Sequence, residues 1–458
     1  MNTKLLSLWL ALAMTVPAAS VAQQRNSWEN RSARRDPQIA DALQQVSADR
    51  LQASVEKLAS FRSRNTLSSP GPKDNEIGAA RAWIKAEFER YSQACGGCLE
   101  VRTDSFIAPS APRIPQPTEI VNVYAVLRGA DPRSANRIYV IVGHYDSRAG
   151  DVLDPHAPAP GANDDASGTA VVLEAARVLS ALRLPATVIF LAVAGEEQGL
   201  HGARHFAKMA REQNWDIGAV LNNDTVGGDK GPGQDASVLR VFSEGIPSKA
   251  GEADVRLIRS MGAENDSPSR QLARYLREVD RVYLPGAFGP KMIFRPDRYL
   301  RGGDHTAFNE QGFPAVRLTE YRENYDHQHQ NLRRENGIEY GDLPKFVDRA
   351  YMANVARLNV AALASLASAP APPTNVRLET KVLENDSTLV WEASPDALAT
   401  GYEVLWRPTT SAEFDNIEAV GKVTRATIKR SKDNVNFAVR AVDGKGHRSL
   451  AVAPMPER

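Results

Sequence analysis

Along the first half of the chain, apolar positions recur at helical spacing and then give way to short continuous apolar runs. Ile39, Leu43, Val46, Leu51, Val55 and Leu58 predict one helix from about Pro37 to Phe61. Ala80, Trp83, Ile84 and Phe88 place a second helix between Gly78 and Ser92. Strand-like runs at 101–107 and 120–127 flank a Pro-rich loop, 108–117. From Arg137 the pattern alternates. One strand ends at His144, another runs from Ala186 to Val193, and a third from Ile217 to Leu221. Helices from Ser167 to Leu182 and from about Leu200 to Glu212 separate them. A later strand, Ala315 to Thr319, precedes a long helix from about Leu343 to Ala367. Strand–helix–strand repetition with short connections predicts an α/β fold with a mostly parallel mixed sheet covered by helices. A Pro-rich linker at 369–373 follows. Short alternating runs at 375–378, 388–391, 401–406, 426–429 and 436–442 then predict a small C-terminal all-β sandwich over 374–458.

The chemistry sits where the predicted strands end. Gly143-His144-Tyr145-Asp146-Ser147 closes the first, Glu196-Glu197 follows the second, and Asp224 follows the third. Asp164 and Asp165 lie in a Gly-bounded loop before a helix. In an open α/β sheet, ligands gather at the carboxyl ends of the strands. Carboxylates and an imidazole delivered to one edge hold divalent metal. His144 and Asp146, two residues apart, can share a face, so that the acid takes the second ring N–H of the histidine. Adjacent carboxylates at 196 and 197 repel unless a cation offsets them, and the pair divides naturally into a ligand and a base. Each acid alone has a bland reading as a helix cap or an exposed loop residue. Their joint occurrence in this order points to a di-metal hydrolase.

Composition narrows the setting. The chain of 458 residues is 42% hydrophobic and 24% charged, enough for one large core plus a small second domain. A net charge of +1 and the lack of a basic stripe argue against nucleic-acid and anionic-membrane partners. Lys4, the apolar stretch from Leu5 to Val16 and the small residues Ser20-Val21-Ala22 read as a signal peptide over 1–22. Cleavage near Ala22 predicts a secreted or periplasmic protein. In that setting Cys95 and Cys98, the only cysteines, are expected to form a local disulfide.

Taken together, these motifs resemble the co-catalytic zinc aminopeptidases, a family that also contains plasma glutamate carboxypeptidase and glutaminyl cyclase. The match covers about residues 80 to 365. The resemblance implies two zinc ions held by His144, Asp164, Glu197, Asp224 and a later histidine, with Asp164 bridging. It implies Glu196 as general base and Asp146 as the partner of His144. For the last ligand, the family's acid four residues after the histidine is missing. Asn331 takes that place counting from His327, and Arg333 counting from His329, which favours His327. The implied activity is a secreted exopeptidase acting on peptides, most simply an aminopeptidase. A carboxypeptidase or dipeptidase, a glutaminyl cyclase and a non-catalytic binding ectodomain are the alternatives, in that order. The C-terminal segment resembles a fibronectin type III module through Leu389-Val390-Trp391 and Gly401-Tyr402. Its sequence does not choose between a polymer and a protein as partner. Because every candidate ligand precedes residue 369, the region up to about Ser368 is expected to fold and act alone.

Overall fold

The computed structural model describes residues 35–286 and 288–457. The expected signal peptide and its cleavage site near Ala22 lie outside them. The single helix expected from Pro37 to Phe61 is two, α1 (Pro37–Gln44) and α2 (Ala48–Ala59). Ser47 breaks the run by capping α2, its Oγ accepting from Arg50 N at 3.3 Å. After α3 (Ile77–Ala94), Cys95 and Cys98 are joined in a disulfide, as their spacing predicts.

Eight strands form the main sheet: β1 (Leu99–Ala108), β2 (Thr118–Leu127), β3 (Arg137–His144), β4 (Thr187–Val193), β5 (Asp216–Asn223), β6 (Val238–Ser243), β7 (Gly289–Ile293) and β8 (Ala315–Glu320). Their order is β1-β2-β4-β3-β5-β8-β6-β7. The four central strands β4-β3-β5-β8 are parallel, so their carboxyl ends open on one edge. Helices α4 (Ser167–Leu179), α5 (His201–Glu212), α6 (Glu252–Ser260), α7 (Pro268–Tyr283), α8 (Asp304–Glu310) and α9 (Arg349–Ser368) accompany it. Alternation along β3 shows how both faces are covered. Tyr139 and Ile141 join a core with Val171 of α4 and Val355 of α9. Val140 and Val142 join another with Phe206 of α5 and Phe308 of α8.

Two differences from the expected pattern have clear causes. The last helix starts at Arg349 rather than near Leu343, because Asp348 accepts from Ala350 N and Tyr351 N and Pro344 occupies the preceding turn. The segment holding β6, α6, α7 and β7 has no counterpart in the sequence-based reading. In α7 the buried face includes Arg270 and Arg274. Arg270 donates to Ser243 Oγ at 2.6 Å and Arg274 to Ala412 O at 2.8 Å.

Beyond a short hairpin, β9 (Arg333–Glu335) with β10 (Ile338–Tyr340), and the long α9, the chain becomes all-β. Strands β11 (Thr374–Glu379), β12 (Ser387–Glu392), β13 (Gly401–Pro408), β14 (Asn416–Gly421), β15 (Arg425–Ile428), β16 (Val435–Val442) and β17 (Met455–Glu457) form two sheets, β15-β12-β11-β17 and β14-β13-β16. Leu389, Trp391, Tyr402, Val404 and Phe437 fill the space between them. The Pro-rich stretch before β11 is not a free tether. Ala369 and Ala371 are buried, and Arg137 Nη2 donates to Ala369 O at 2.8 Å. The sandwich docks on the α/β region through buried ion pairs, Arg407 with Asp266 at 2.8 Å and Arg137 with Asp396 at 2.9 Å. Among the described residues no helix is long and apolar enough to cross a membrane.

Candidate metal centre

The strand ends on the parallel edge deliver the polar groups of the site. His144 is the last residue of β3, Glu196 and Glu197 follow β4, Asp224 follows β5, and His329 lies in the loop after β8. Asp164 comes from the loop before α4. Gly161 starts that loop with φ of 49°, where a Cβ would meet Asp164 O and Ser147 Cβ at 2.6 Å, so glycine is required. Asp342 holds it in place, its Oδ1 accepting from Asn163 N at 2.8 Å and its Oδ2 from Asp164 N at 2.7 Å. The neighbouring Asp165 points away from the cluster and ties three backbones together. It accepts from His144 N at 3.1 Å, Gly168 N at 2.9 Å and Thr225 N at 3.2 Å.

These placements create two trios, His144–Glu196–Asp224 and Asp164–Glu197–His329, each with one ligand atom per residue, all within 4.8 Å of one another. Asp164 joins them. Its Oδ1 lies 3.1 Å from His144 Nε2 and its Oδ2 2.9 Å from His329 Nε2. Glu197 Oε1 is 3.1 Å from the same His329 nitrogen, and Asp224 Oδ1 is 4.0 Å from His144 Nε2.

The histidine expected in this cluster is replaced by its neighbour. His327 is turned away, pairing through Nδ1 with Asp229 and stacking on Phe346 with ring centroids 3.7 Å apart. The reason is backbone direction: His329 adopts φ of 56°, a left-handed turn that aims its side chain back toward the sheet edge. Asp146 also differs in detail from expectation. His144 Nδ1 sits 3.1 Å from the Asp146 carbonyl oxygen and 3.5 Å from its carboxylate. The carboxylate chiefly receives Glu197 N at 3.2 Å, Glu196 N at 3.4 Å and Thr66 Oγ1 at 3.1 Å. Asp146 therefore orients the imidazole and the Glu-Glu turn together. His305 lies outside both trios, with Nε2 2.7 Å from Pro296 O.

Several contributors carry no sequence signal. Asp342 sits in a loop without a motif. Gln328, between the two histidines, donates from Nε2 to Asp164 Oδ2 at 2.6 Å. Asp304 is fully buried, and neither of its oxygens has a hydrogen-bond partner among the described residues.

The electrostatics fit a cation. His144 Nε2 is buried without an aligned hydrogen bond, so its lone pair is free to face a metal. Burial, reinforced by the Asp164 charge, pushes the Asp224 carboxyl up to about 6. Burial also lifts Glu196 well above its usual range, with Asp224 and Glu197 adding to it and His144 opposing. Asp164 goes the other way: burial would raise it, but the His144 and His329 imidazoles beside it outweigh this and hold it well below. Three carboxylates and two imidazoles, with Glu196 beside them, form a donor set of the zinc type. Of this set, Glu197 and His329 line an open cleft of about 780 Å³, together with Glu196.

The chain is similar to known proteins. Residues 122–348 match Peptidase family M28. A probable zinc metalloprotease of Leptosphaeria maculans is 45% identical over 424 residues, 92% of this chain and 97% of its own. A second, from Pyrenophora teres f. teres, is 43% identical over 92% of this chain and 87% of its own. Among solved structures, the LapA aminopeptidase of Legionella pneumophila has the same fold. Its TM-score is 0.52 at 21% identity, covering 74% of this chain and 76% of that one. With similarity along nearly its whole length and the metal-type cluster at its sheet edge, the chain belongs to Peptidase family M28 and is a metallopeptidase.

Proposed function

We propose that the chain is a secreted, zinc-dependent exopeptidase that removes amino-terminal residues from peptides. The observation that carries this reading is the position of Asp164, with one carboxylate oxygen beside His144 and the other beside His329. That geometry suits a carboxylate shared by two ions. His144 and Asp224 would hold one zinc, Glu197 and His329 the other. Zinc bound there supplies Lewis-acid polarisation of a carbonyl and lowers the pKa of water. The names of the relatives and of the aminopeptidase with the same fold support zinc and peptide hydrolysis.

The chain's own residues do the rest. Glu196 is only half-buried, faces the cleft and belongs to the wall that a peptide would touch. Its carboxylate takes the proton of the attacking water and returns it to the leaving amine. Asp146, through the backbone N–H groups of Glu196 and Glu197, keeps the two side chains in different directions. Thr66 and the His144 ring complete that arrangement. The C-terminal sandwich is read as fibronectin type III-like, on the inward Trp391 packed 5.5 Å from the Tyr402 ring.

Metal content per chain, measured with cleavage of matched free and amino-blocked peptides, tests the proposal. Two equivalents of zinc and cleavage confined to free amino termini are expected. One equivalent, or equal cleavage of blocked peptides, would overturn the aminopeptidase reading.

A further inference from the structure

The cleft above the metal cluster is lined by five arginines, Arg113, Arg148, Arg204, Arg298 and Arg301. Its carboxylates are few. Glu196 and Glu197 belong to the cluster itself, which leaves Glu310. The arginines divide by how their charge is met. Arg298 is committed, bonded to Asp297 at 3.0 Å and to Glu323 at 2.6 Å. Arg301 reaches the same Glu323 only at 3.5 Å, and Arg204 meets Glu310 at 3.3 Å on an exposed surface. Arg113 and Arg148 have no carboxylate partner among the described residues. Arg113 Nη1 donates to the Glu197 carbonyl at 2.9 Å, and Arg148 Nε to Ala149 O at 3.1 Å.

Backbone anchoring of this kind fixes a guanidinium while leaving donors and its full charge available. Arg113 is held by the carbonyl of a cluster residue, so it stands at the catalytic edge. An arginine fork matches a carboxylate in shape, and such charge-assisted pairs are stronger than neutral ones. Resting on the exopeptidase reading, we propose that the cleft recognises a substrate carboxylate and prefers peptides with an acidic side chain next to the scissile bond. Arg113 and Arg148 are the residues that select it.

The test compares the zinc-loaded protein on short C-terminally amidated peptides that differ only by Glu or Gln at the second position. The wild type should favour Glu in kcat/KM, mainly through KM, and the preference should shrink as salt is raised. Arg113→Gln and Arg148→Gln should each lower the Glu-to-Gln ratio by about tenfold, the scale of one hydrogen bond to a charged group. Arg128→Gln, on the exposed β1–β2 side where Arg128 pairs with Glu100, should leave the ratio unchanged. A second arm uses the Gln peptide with a free terminal carboxylate. If only that peptide gains, the chain terminus is the recognised anion and the acidic side-chain preference is wrong. A third arm measures equilibrium binding of a fluorescent Glu peptide and its Gln counterpart to the Glu196→Gln holoprotein, without turnover. Tighter Glu-peptide binding that weakens in both arginine variants supports the anion site even if no peptide is cleaved, the result that would sink the exopeptidase reading alone. Equal handling of Glu and Gln in every arm overturns the proposal.

Discussion

Arg317 Nη2 donates to Asp224 Oδ1 at 2.9 Å, with the arginine wholly buried in β8 and the acid at the end of β5. The same guanidinium lies 3.5 Å from Asp297. A buried cation thus sits directly behind a carboxylate of the metal-type cluster and sets which way that carboxylate points. Replacing Arg317 by Met strands Asp224 and Asp297 without their shared partner. Breaking a buried pair costs about 3–5 kcal/mol. Losing an outer partner of a ligand typically weakens metal binding about 10–100-fold. Urea unfolding of the zinc-free protein and zinc titration should show both effects.

The two histidines of the 322–330 loop are expected to separate cleanly. His329→Ala should abolish binding of one zinc, because its Nε2 faces both Asp164 and Glu197. His327→Ala should keep both ions but destabilise the loop by about 1–3 kcal/mol, since Asp229 loses a buried partner. Zinc stoichiometry and thermal melts of both variants decide this. Zinc loss only in the His327 variant would reverse the assignment.

Glu196→Gln is expected to retain the fold and both metals while turnover falls about 10²–10⁴-fold, the usual contribution of a general base. Glu196 also lies with His144 and Asp224 within 4.8 Å. Loss of one metal in this variant would therefore identify Glu196 as a ligand instead.

Removal of residues 374–458 should leave an unstable protein, contrary to what the linker composition suggests. Asp266 and Glu278 of the α/β region are paired across the junction with Arg407 at 2.8 Å and Arg440 at 2.6 Å. Truncation would strip Glu278 of Arg440 and Arg448, leave Asp266 only Arg274 at 3.5 Å, and expose the surface beneath Leu450, which packs in the main core. Lower soluble yield and a lower melting temperature are expected. A truncation as stable as the full chain would show that the junction contributes little.

His447 links the last strands to the start of α1, with Nε2 2.9 Å from Asp36 and Nδ1 2.8 Å from Asp443. Burial would lower its pKa, but these two carboxylates outweigh it and raise the imidazole above its usual value. A raised folded-state pKa means the folded protein holds the proton more tightly than the unfolded chain. The stabilisation is complete below the unfolded value of about 6.5 and is lost as pH rises through the higher folded value. His447→Gln should therefore lower the melting temperature more at pH 6 than at pH 9. An equal loss at both pH values would exclude an ionic role.

Local pattern determined much of this protein. The apolar runs of β3, β4 and β5 are strands whatever they pack against, because their composition suits a sheet buried on both faces. The acids and the histidine that follow them then fall on one edge by topology alone, so His144, Asp164, Glu196, Glu197 and Asp224 were legible together. Tertiary structure decided what depends on side-chain direction or distant partners. His327 and His329 are two residues apart in one polar loop, and only the turn at His329 aims one inward while Asp229 and Phe346 hold the other. Arg270 and Arg274 are buried because Ser243 Oγ and Ala412 O, far off in the chain, accept from them. Asp342 and Arg317 support the cluster from positions without any motif, since a buried charge is specified by its partner in space rather than by its neighbours in the chain.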